Sequence, residues 1–410
     1  MRPVLYVTID GVLDHIGFSQ VLRVVEALAT RGVPYSLVSM ERARDLGDTA
    51  RVEAVRARLR AAGIAWESAP YHGGGAATVA ENLGRLTALA ARVAVVARAG
   101  LVHARGYHGA LVARALRATL RVPYLFDARG FWIDERLEEG RWFTTPRRLR
   151  VARRVEHRLY RDARGIVTLT ELHAADVTRD HLPRGARPPL VIPTCADYDQ
   201  FRIAPTPSVE VVPMDVRQAL RGRRVLAIVG SLNRAYLGRD AGRLMRAVLA
   251  RDPDARLLVL SGQSDAWRTC LAGCGVPAEA TVLARADHEA MPAWLSLVDF
   301  GLLVLTPDTV AKRAMMPTKL AEFFAAGVGP VAHGCNPEVR DWVARAGSGI
   351  VLEGLGDDAL DAAAAKICQT PALGVREHAR AITAPHFSLA SGVARYAQLL
   401  EALATNESAG

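Results

Sequence analysis

Lys319 and Glu322 stand three residues apart in the stretch RAMMPTKLAEFFAAG, residues 313–327. Pro317 and Thr318 read as the start of a short helix and Gly327 as its end, since Pro suits a first turn and Gly a C-cap. The N-terminus of such a helix carries orphan amides and a partial positive charge. With Lys319 beside it, that end is a diphosphate site in waiting. Glu322, about one turn further in, is placed to accept hydrogen bonds from neutral hydroxyls such as those of a ribose. Phosphate at the tip and hydroxyls one turn along describe a nucleotide. The competing reading is an ordinary amphipathic helix with an exposed glutamate.

Two further loops carry chemistry. IDGVLDHIGFSQ follows the first apolar run, and Gly11 and Gly17 would let its backbone approach a ligand. VGSLNRAYLGRD follows a similar run in the second half, where Gly230 and the amides after it can face a phosphate, with Arg234 or Arg239 as counter-charge. Neither loop is GxGxxG or a Walker loop, which removes the usual support for a nicotinamide cofactor or ATP. A plain tight turn is the alternative for each loop alone.

The elements that must position these groups are legible. Apolar runs alternate with amphipathic stretches along the whole chain: VLYVTID, PYSLVSM, LVHARG, PYLFDAR, GIVTLT and LVIPT in the first half. RVLAIVG, RLLVLSG, ATVLAR, FGLLVL, GPVAHG and SGIVLE follow in the second. Continuously apolar strands between helices imply parallel sheets covered on both faces. The expected fold class is α/β with two doubly wound, Rossmann-like domains. The first spans residues 1–200 and the second 216–385, with a linker at 201–215 and a final helical segment, 386–410, returning to the first domain. Ligands of such sheets bind at the carboxyl ends of the strands, so the two sheet edges are expected to face each other across a cleft.

With 410 residues the chain suits two domains, and half of its residues are hydrophobic. The formal net charge of +10 is lopsided, because residues 1–200 hold 30 Lys+Arg against 21 Asp+Glu. Eight arginines fall between Arg147 and Arg164, with Leu149, Ala152, Val155 and Leu159 at helical spacing. Such a helix would suit an anionic membrane surface or an acidic acceptor; a merely solvated helix in a chain with three lysines is the plain alternative. The five cysteines fit neither a disulfide framework nor a zinc site, no apolar run spans a bilayer, and the N-terminus reads as a strand. A reducing cytosol is the expected compartment.

Taken in order, these segments resemble the retaining glycosyltransferases of family 4, which have the GT-B architecture. PTKLAEFFAAG resembles the family's donor helix and IDGVLDHIGFSQVL its first-strand loop. FDARGFWIDERLEEGRW, VTLTELHAADV, VIPTCADYDQF, GSL, MPAWLSLVDFGLLVL and HFSLASGVARYAQLLEAL follow in the family's order, covering nearly the whole chain. The resemblance implies transfer of a sugar from a UDP-, GDP- or dTDP-sugar to a carbohydrate, lipid-linked or small-molecule acceptor, with no metal or other cofactor required. It places Gly230 and Ser231 at the diphosphate, Pro317, Thr318, Lys319 and Leu320 around the phosphates, and Glu322 at the ribose.

Two departures qualify it. The family often has two glutamates eight apart, and here the first position is Ala314. Many members place a histidine near the end of PYLFDAR, whereas this chain has Asp127 and Arg129, either a direct sugar contact or a structural ion pair. Ala314 keeps open a non-catalytic nucleotide-sugar-binding partner, and an epimerase on the same architecture is the other rival.

Other signals are weaker. HGGG at 72–75 resembles an esterase oxyanion loop, yet no G-x-S-x-G serine accompanies it. Asp197 and Asp199 form a D-x-D beside the linker, where a turn is expected. His108 can face the acceptor side, and His103 reads as structural. No nucleic-acid module is visible.

Overall fold

In the computed structural model, residues 2–140, 142–143, 145–203, 210–232, 237–306, 309–333, 336–370 and 376–405 are described. The chain forms two compact units, residues 1–193 with 392–410, and residues 194–391.

The first unit is built on a seven-stranded sheet whose neighbours all pair in parallel. Its strands are β1 (Val4–Val7), β2 (Tyr35–Arg42), β3 (Ala65–Tyr71), β4 (Leu101–Arg105), β5 (Tyr124–Asp127), β6 (Gly165–Thr168) and β7 (Leu190–Val191), in the order β3-β2-β1-β4-β5-β6-β7. The all-apolar strand β1 is buried along its length because helices cover both faces. The strand order reverses between β1 and β4, so their carboxyl ends flank the crevice where open α/β sheets take ligands. The terminal helix Leu389–Thr405 belongs to this unit from Gly392 onward. There Tyr396, Leu400 and Leu403 are buried, and the Arg395 guanidinium donates to the Val191 carbonyl (3.0 Å).

The second unit carries a six-stranded parallel sheet, β8 (Val225–Val229), β9 (Arg256–Leu260), β10 (Thr281–Ala284), β11 (Phe300–Leu303), β12 (Gly329–His333) and β13 (Ile350–Leu352), in the order β10-β9-β8-β11-β12-β13. Its reversal falls between β8 and β11. Leu226 and Ile228 of β8 pack with Leu244, Met245 and Val248 of the helix Gly238–Leu249, the apolar stripe of that helix facing the sheet.

All twelve apolar runs contain a strand, and both sheets are parallel. Strand β3, AWESAPY, was not expected. It is an edge strand with one buried large side chain, Trp66, and it tolerates Pro70 because an edge leaves one row of backbone groups unpaired.

Candidate active site

In the second unit the helix Thr318–Ala326 begins directly after Pro317, its N-cap residue, and ends at Gly327 with φ +68°. That left-handed cap lets the Val328 amide return to the Phe323 carbonyl (2.9 Å). Gly301 of β11 admits the helix to the sheet: a Cβ there would lie 2.3 Å from the Phe323 ring. Every residue from Leu320 to Ala326 is buried, so the helix is a core element and not an amphipathic one with an exposed glutamate. Glu322 is 2% exposed, and its Oε2 accepts a hydrogen bond from Lys319 Nζ (2.7 Å). The two residues read separately as phosphate and ribose groups are thus a bonded pair. Thr318 and Lys319 are half-buried at the positive end of the helix.

Both ends of this helix are tied down. Ahead of it, Asn336 donates to the carbonyls of Lys312 (2.9 Å) and Met315 (2.6 Å) while capping the helix Pro337–Ala346 through the Val339 amide. Thr194 Oγ1 donates to the Met316 carbonyl (2.8 Å). Behind it, the Arg380 guanidinium donates to the carbonyls of Ala325, Tyr198 and Phe201. A cation there also complements the negative end of the helix. Ala314 is fully buried at the end of the short helix Val310–Arg313.

Gly230 directly follows β8 with φ +131°, a conformation that L side chains rarely adopt. Its carbonyl accepts from Trp267 Nε1 (3.3 Å), and the Leu232 amide donates to Gln263 Oε1 (2.8 Å), so the loop's first residues are fixed by the neighbouring loop and helix after β9. Ser231 is exposed. Arg234 lies outside the described residues, and Arg239 is exposed on the first turn of the following helix.

In the first unit, Asp127 ends β5 and is 1% exposed. Its Oδ1 lies 3.4 Å from Arg129 Nη1, and its Oδ2 lies 3.7 Å from Arg105 Nη1 and 3.8 Å from His103 Nε2. Burial alone would raise the carboxyl's pKa, but the Arg129 and Arg105 guanidiniums beside it hold it well below the usual carboxylate range. The His103 contact is too long for a hydrogen bond, and Nε2 has no other partner. Burial lowers the imidazole's pKa against the pull of Asp127, leaving a neutral ring whose Nδ1 bonds to the Tyr35 hydroxyl (3.1 Å). Of the pair Asp127 and Arg129, the arginine is the more open, with 18% of its side chain exposed.

Three charged residues at this sheet edge escaped the sequence reading: Asp10, Glu41 and Arg105. Arg105 ends β4 and donates through Nε to Asp10 Oδ2 (2.9 Å), bridging the switch point between β1 and β4. Glu41 is buried in β2 and accepts from the amides of Val12 (2.8 Å) and Leu13 (3.1 Å) and from the Ser39 hydroxyl (2.6 Å). Their signal is position: each is a charged residue closing or following an apolar strand, at the end where parallel sheets bind.

The glycines of the first loop serve this packing. A Cβ on Gly11 would meet Glu41 Oε2 at 2.5 Å, and one on Gly17 would meet the Gly11 carbonyl oxygen at 1.9 Å. Their close approaches are therefore to Glu41 and to the loop itself. Beyond them the chain winds through His15–Gly17, a π-type turn Phe18–Leu22, and Arg23–Thr30. His108 is half-buried on the first turn of the helix Gly106–Leu120, its ring 5.2 Å from that of Trp132. Burial lowers its pKa, with Asp10 opposing.

The remaining motifs are structural. In HGGG, Asn82 clamps the His72 backbone, accepting from its amide (3.3 Å) and donating to its carbonyl (2.7 Å). Asp197 Oδ1 accepts from the amides of Asp199 (3.0 Å) and Gln200 (3.2 Å), an Asx turn. Among the described residues no group of three or more His, Cys, Asp and Glu could hold a metal ion, and no helix is long and apolar enough to cross a membrane.

Residues 19–195 match the family model of the glycosyl transferase 4-like domain. No curated protein matches the sequence. Among solved structures, the chain is similar to a glycosyltransferase from Rickettsia africae ESF-5, with TM-score 0.68, 13% identity and 99% of each chain covered. It is similar to sucrose-phosphate synthase from Thermosynechococcus elongatus, with TM-score 0.70 and 14% identity over 99% of this chain and 100% of that one. UDP-GlcNAc 2-epimerase from Neisseria meningitidis, bound to UDP-GlcNAc, aligns with TM-score 0.57 and 11% identity over 98% of this chain and 99% of the other. The first unit thus matches a glycosyl transferase 4-like domain, and the full-length structural neighbours show that the chain has the GT-B fold.

Proposed function

We propose that the chain transfers a sugar from a nucleoside-diphosphate sugar to an acceptor hydroxyl with retention of anomeric configuration, in the cytosol. The anomeric bond to the β-phosphate oxygen breaks, the acceptor oxygen bonds to the same face of that carbon, and its proton ends on the departing diphosphate. The observation that carries this reading is the bonded Lys319–Glu322 pair on a buried helix, Lys319 on the first turn where backbone amides favour an anion and Glu322 one turn further in.

In this reading Gly230, Ser231 and Arg234 meet the diphosphate, Pro317, Thr318, Lys319 and Leu320 surround the phosphates, and Glu322 takes the ribose hydroxyls. Asp127 is a positioning residue that aims Arg129 at the transferred sugar, while the Gly11–Gly17 loop and His108 meet the acceptor. Lys319 stabilises the leaving diphosphate as its charge grows. That the Neisseria enzyme is bound to UDP-GlcNAc supports a nucleotide sugar as donor. Incubation with UDP-, GDP- and dTDP-sugars, with release of free nucleoside diphosphate as readout, tests the reading; absence of nucleotide binding throughout the panel overturns it. The same neighbour favours an epimerase as the second reading, recognised by conversion of the nucleotide sugar with no acceptor present.

A further inference from the structure

The helix Pro146–Arg161 carries an unusual surplus of unneutralised charge. Several helical arginines elsewhere have an acid one turn away: Arg56 with Glu53 (2.5 Å), Arg85 with Glu81 (2.6 Å), Arg268 with Asp265 (2.5 Å). On this helix Arg153 alone is paired, with Asp134 and Glu156 (2.8 Å). Among the described residues, Arg147, Arg148, Arg150, Arg154, Arg158 and Arg161 have no ion-pair partner. Like charges one turn apart destabilise a helix. An anion would relieve that repulsion.

The arrangement is also directional. Arg150, Arg153, Arg154, His157, Arg158 and Arg161 border a shallow, open groove that runs along one face of the helix. Arg150, Arg154 and Arg158 repeat every four residues, about 6 Å apart along the axis. Because the helix leads into β6, its N-terminal end lies toward the carboxyl edge of the parallel sheet. An aromatic path joins that end to the sheet edge. His108 packs on Trp132 (5.2 Å), and Trp132 packs on Trp142 (6.1 Å) and Phe143 (5.8 Å), just before the Thr145 N-cap.

We propose that this groove holds the body of an acidic oligosaccharide acceptor whose terminal sugar reaches the Gly11–Gly17 loop and His108. Aromatic faces stack on sugar rings while a row of guanidinium groups pairs with carboxylate, sulfate or phosphate substituents. A linear anion fits a groove. A bilayer would call for apolar side chains among the cations, and Val151 is the one large apolar side chain exposed on this helix. The inference rests on the transferase reading and narrows its acceptor to an anionic glycan.

The test uses the full chain and its R150Q/R154Q/R158Q variant, with circular dichroism to verify folding. The probes are a heparin oligosaccharide, a neutral maltooligosaccharide, single-stranded DNA of matched charge, and phosphatidylglycerol–phosphatidylcholine vesicles. Expected are binding of the heparin probe, salt-sensitive and accompanied by a change in tryptophan fluorescence, no binding of the neutral sugar, and an affinity loss of about tenfold for the three charges together. Failure of heparin to bind, or equal binding by the folded variant, overturns the proposal. So does equal binding of DNA, which marks an unselective polyanion surface, or vesicle binding without heparin binding, which marks a membrane-docking face. Binding of UDP, GDP and dTDP is measured alongside: if the wild type binds none of them while heparin still binds, the transferase reading falls and the glycan groove stands.

Discussion

Lys319 and Glu322 are hydrogen-bonded to each other at 2.7 Å, one turn apart on a helix buried nearly all round. On the proposed reading a nucleotide would meet a preassembled pair in which each partner depends on the other.

Removing either partner alone strands a buried charge, which costs roughly 3–5 kcal/mol. Lys319→Ala and Glu322→Ala should therefore lower stability as well as weaken UDP binding. The double variant Lys319→Met/Glu322→Leu should regain most of the stability and none of the binding. Urea unfolding alongside calorimetric titration with UDP separates the two effects. Full UDP affinity in the stable double variant would remove the pair from the donor site.

Asp127 concerns transfer. Its pKa is held below the ordinary carboxylate value of about 3.9. The folded value is the depressed one, so the contribution is complete above that pH and is lost as pH falls toward the folded value. Asp127→Asn should lower stability at pH 7 and flatten the acid limb below pH ~4. With Arg129 no longer anchored, transfer should slow while UDP affinity holds. Unfolding curves from pH 3 to 7 and initial rates provide both readouts.

His173 predicts an earlier onset of acid sensitivity. It is fully buried, bonded through Nε2 to the Tyr160 hydroxyl (3.2 Å), and its pKa is pushed down to about 3 by burial. The unfolded chain takes up this proton near pH 6.5 and the native state does not. Stability should therefore fall by about 1.4 kcal/mol per pH unit as pH drops from there. In His173→Gln the slope of stability against pH between 6 and 4 should be shallower by one proton, as read from urea midpoints.

Ala314 tests whether the family's missing acid could be restored. Its side chain is fully buried. An added carboxylate with no partner must stay charged at a cost of several kcal/mol or bind a proton. Ala314→Glu should lower the melting temperature and give no gain in transfer rate. A faster, equally stable variant would show that the pocket had room for the acid.

The parallel sheets were legible because strands buried on both faces are apolar throughout, as in VLYV of β1 and VLAIV of β8. Strand β3 was not, since an edge strand contributes one large side chain to the core and reads as a polar loop. Lys319 and Glu322 were found by their place on a capped helix, but their bond to each other depends on a burial that no spacing rule encodes. Arg105 and Asp10 lie 95 residues apart and meet because the strand order reverses between β1 and β4. A contact made by topology leaves no local trace in sequence.

The ties around the helix Thr318–Ala326 form a frame. Thr194 holds the carbonyl just ahead of it, and Arg380 joins its last turn to Tyr198 and Phe201. That same strip of chain is stitched to residues 387–389 by main-chain hydrogen bonds, Ala196 amide to Phe387 carbonyl (2.9 Å) and Leu389 amide to Ala196 carbonyl (2.8 Å). Residues 194–201 and 387–391 are the two places where the second unit's chain begins and ends. Mechanically, the helix Thr318–Ala326 and both of these strips are cross-braced by hydrogen bonds at its two ends.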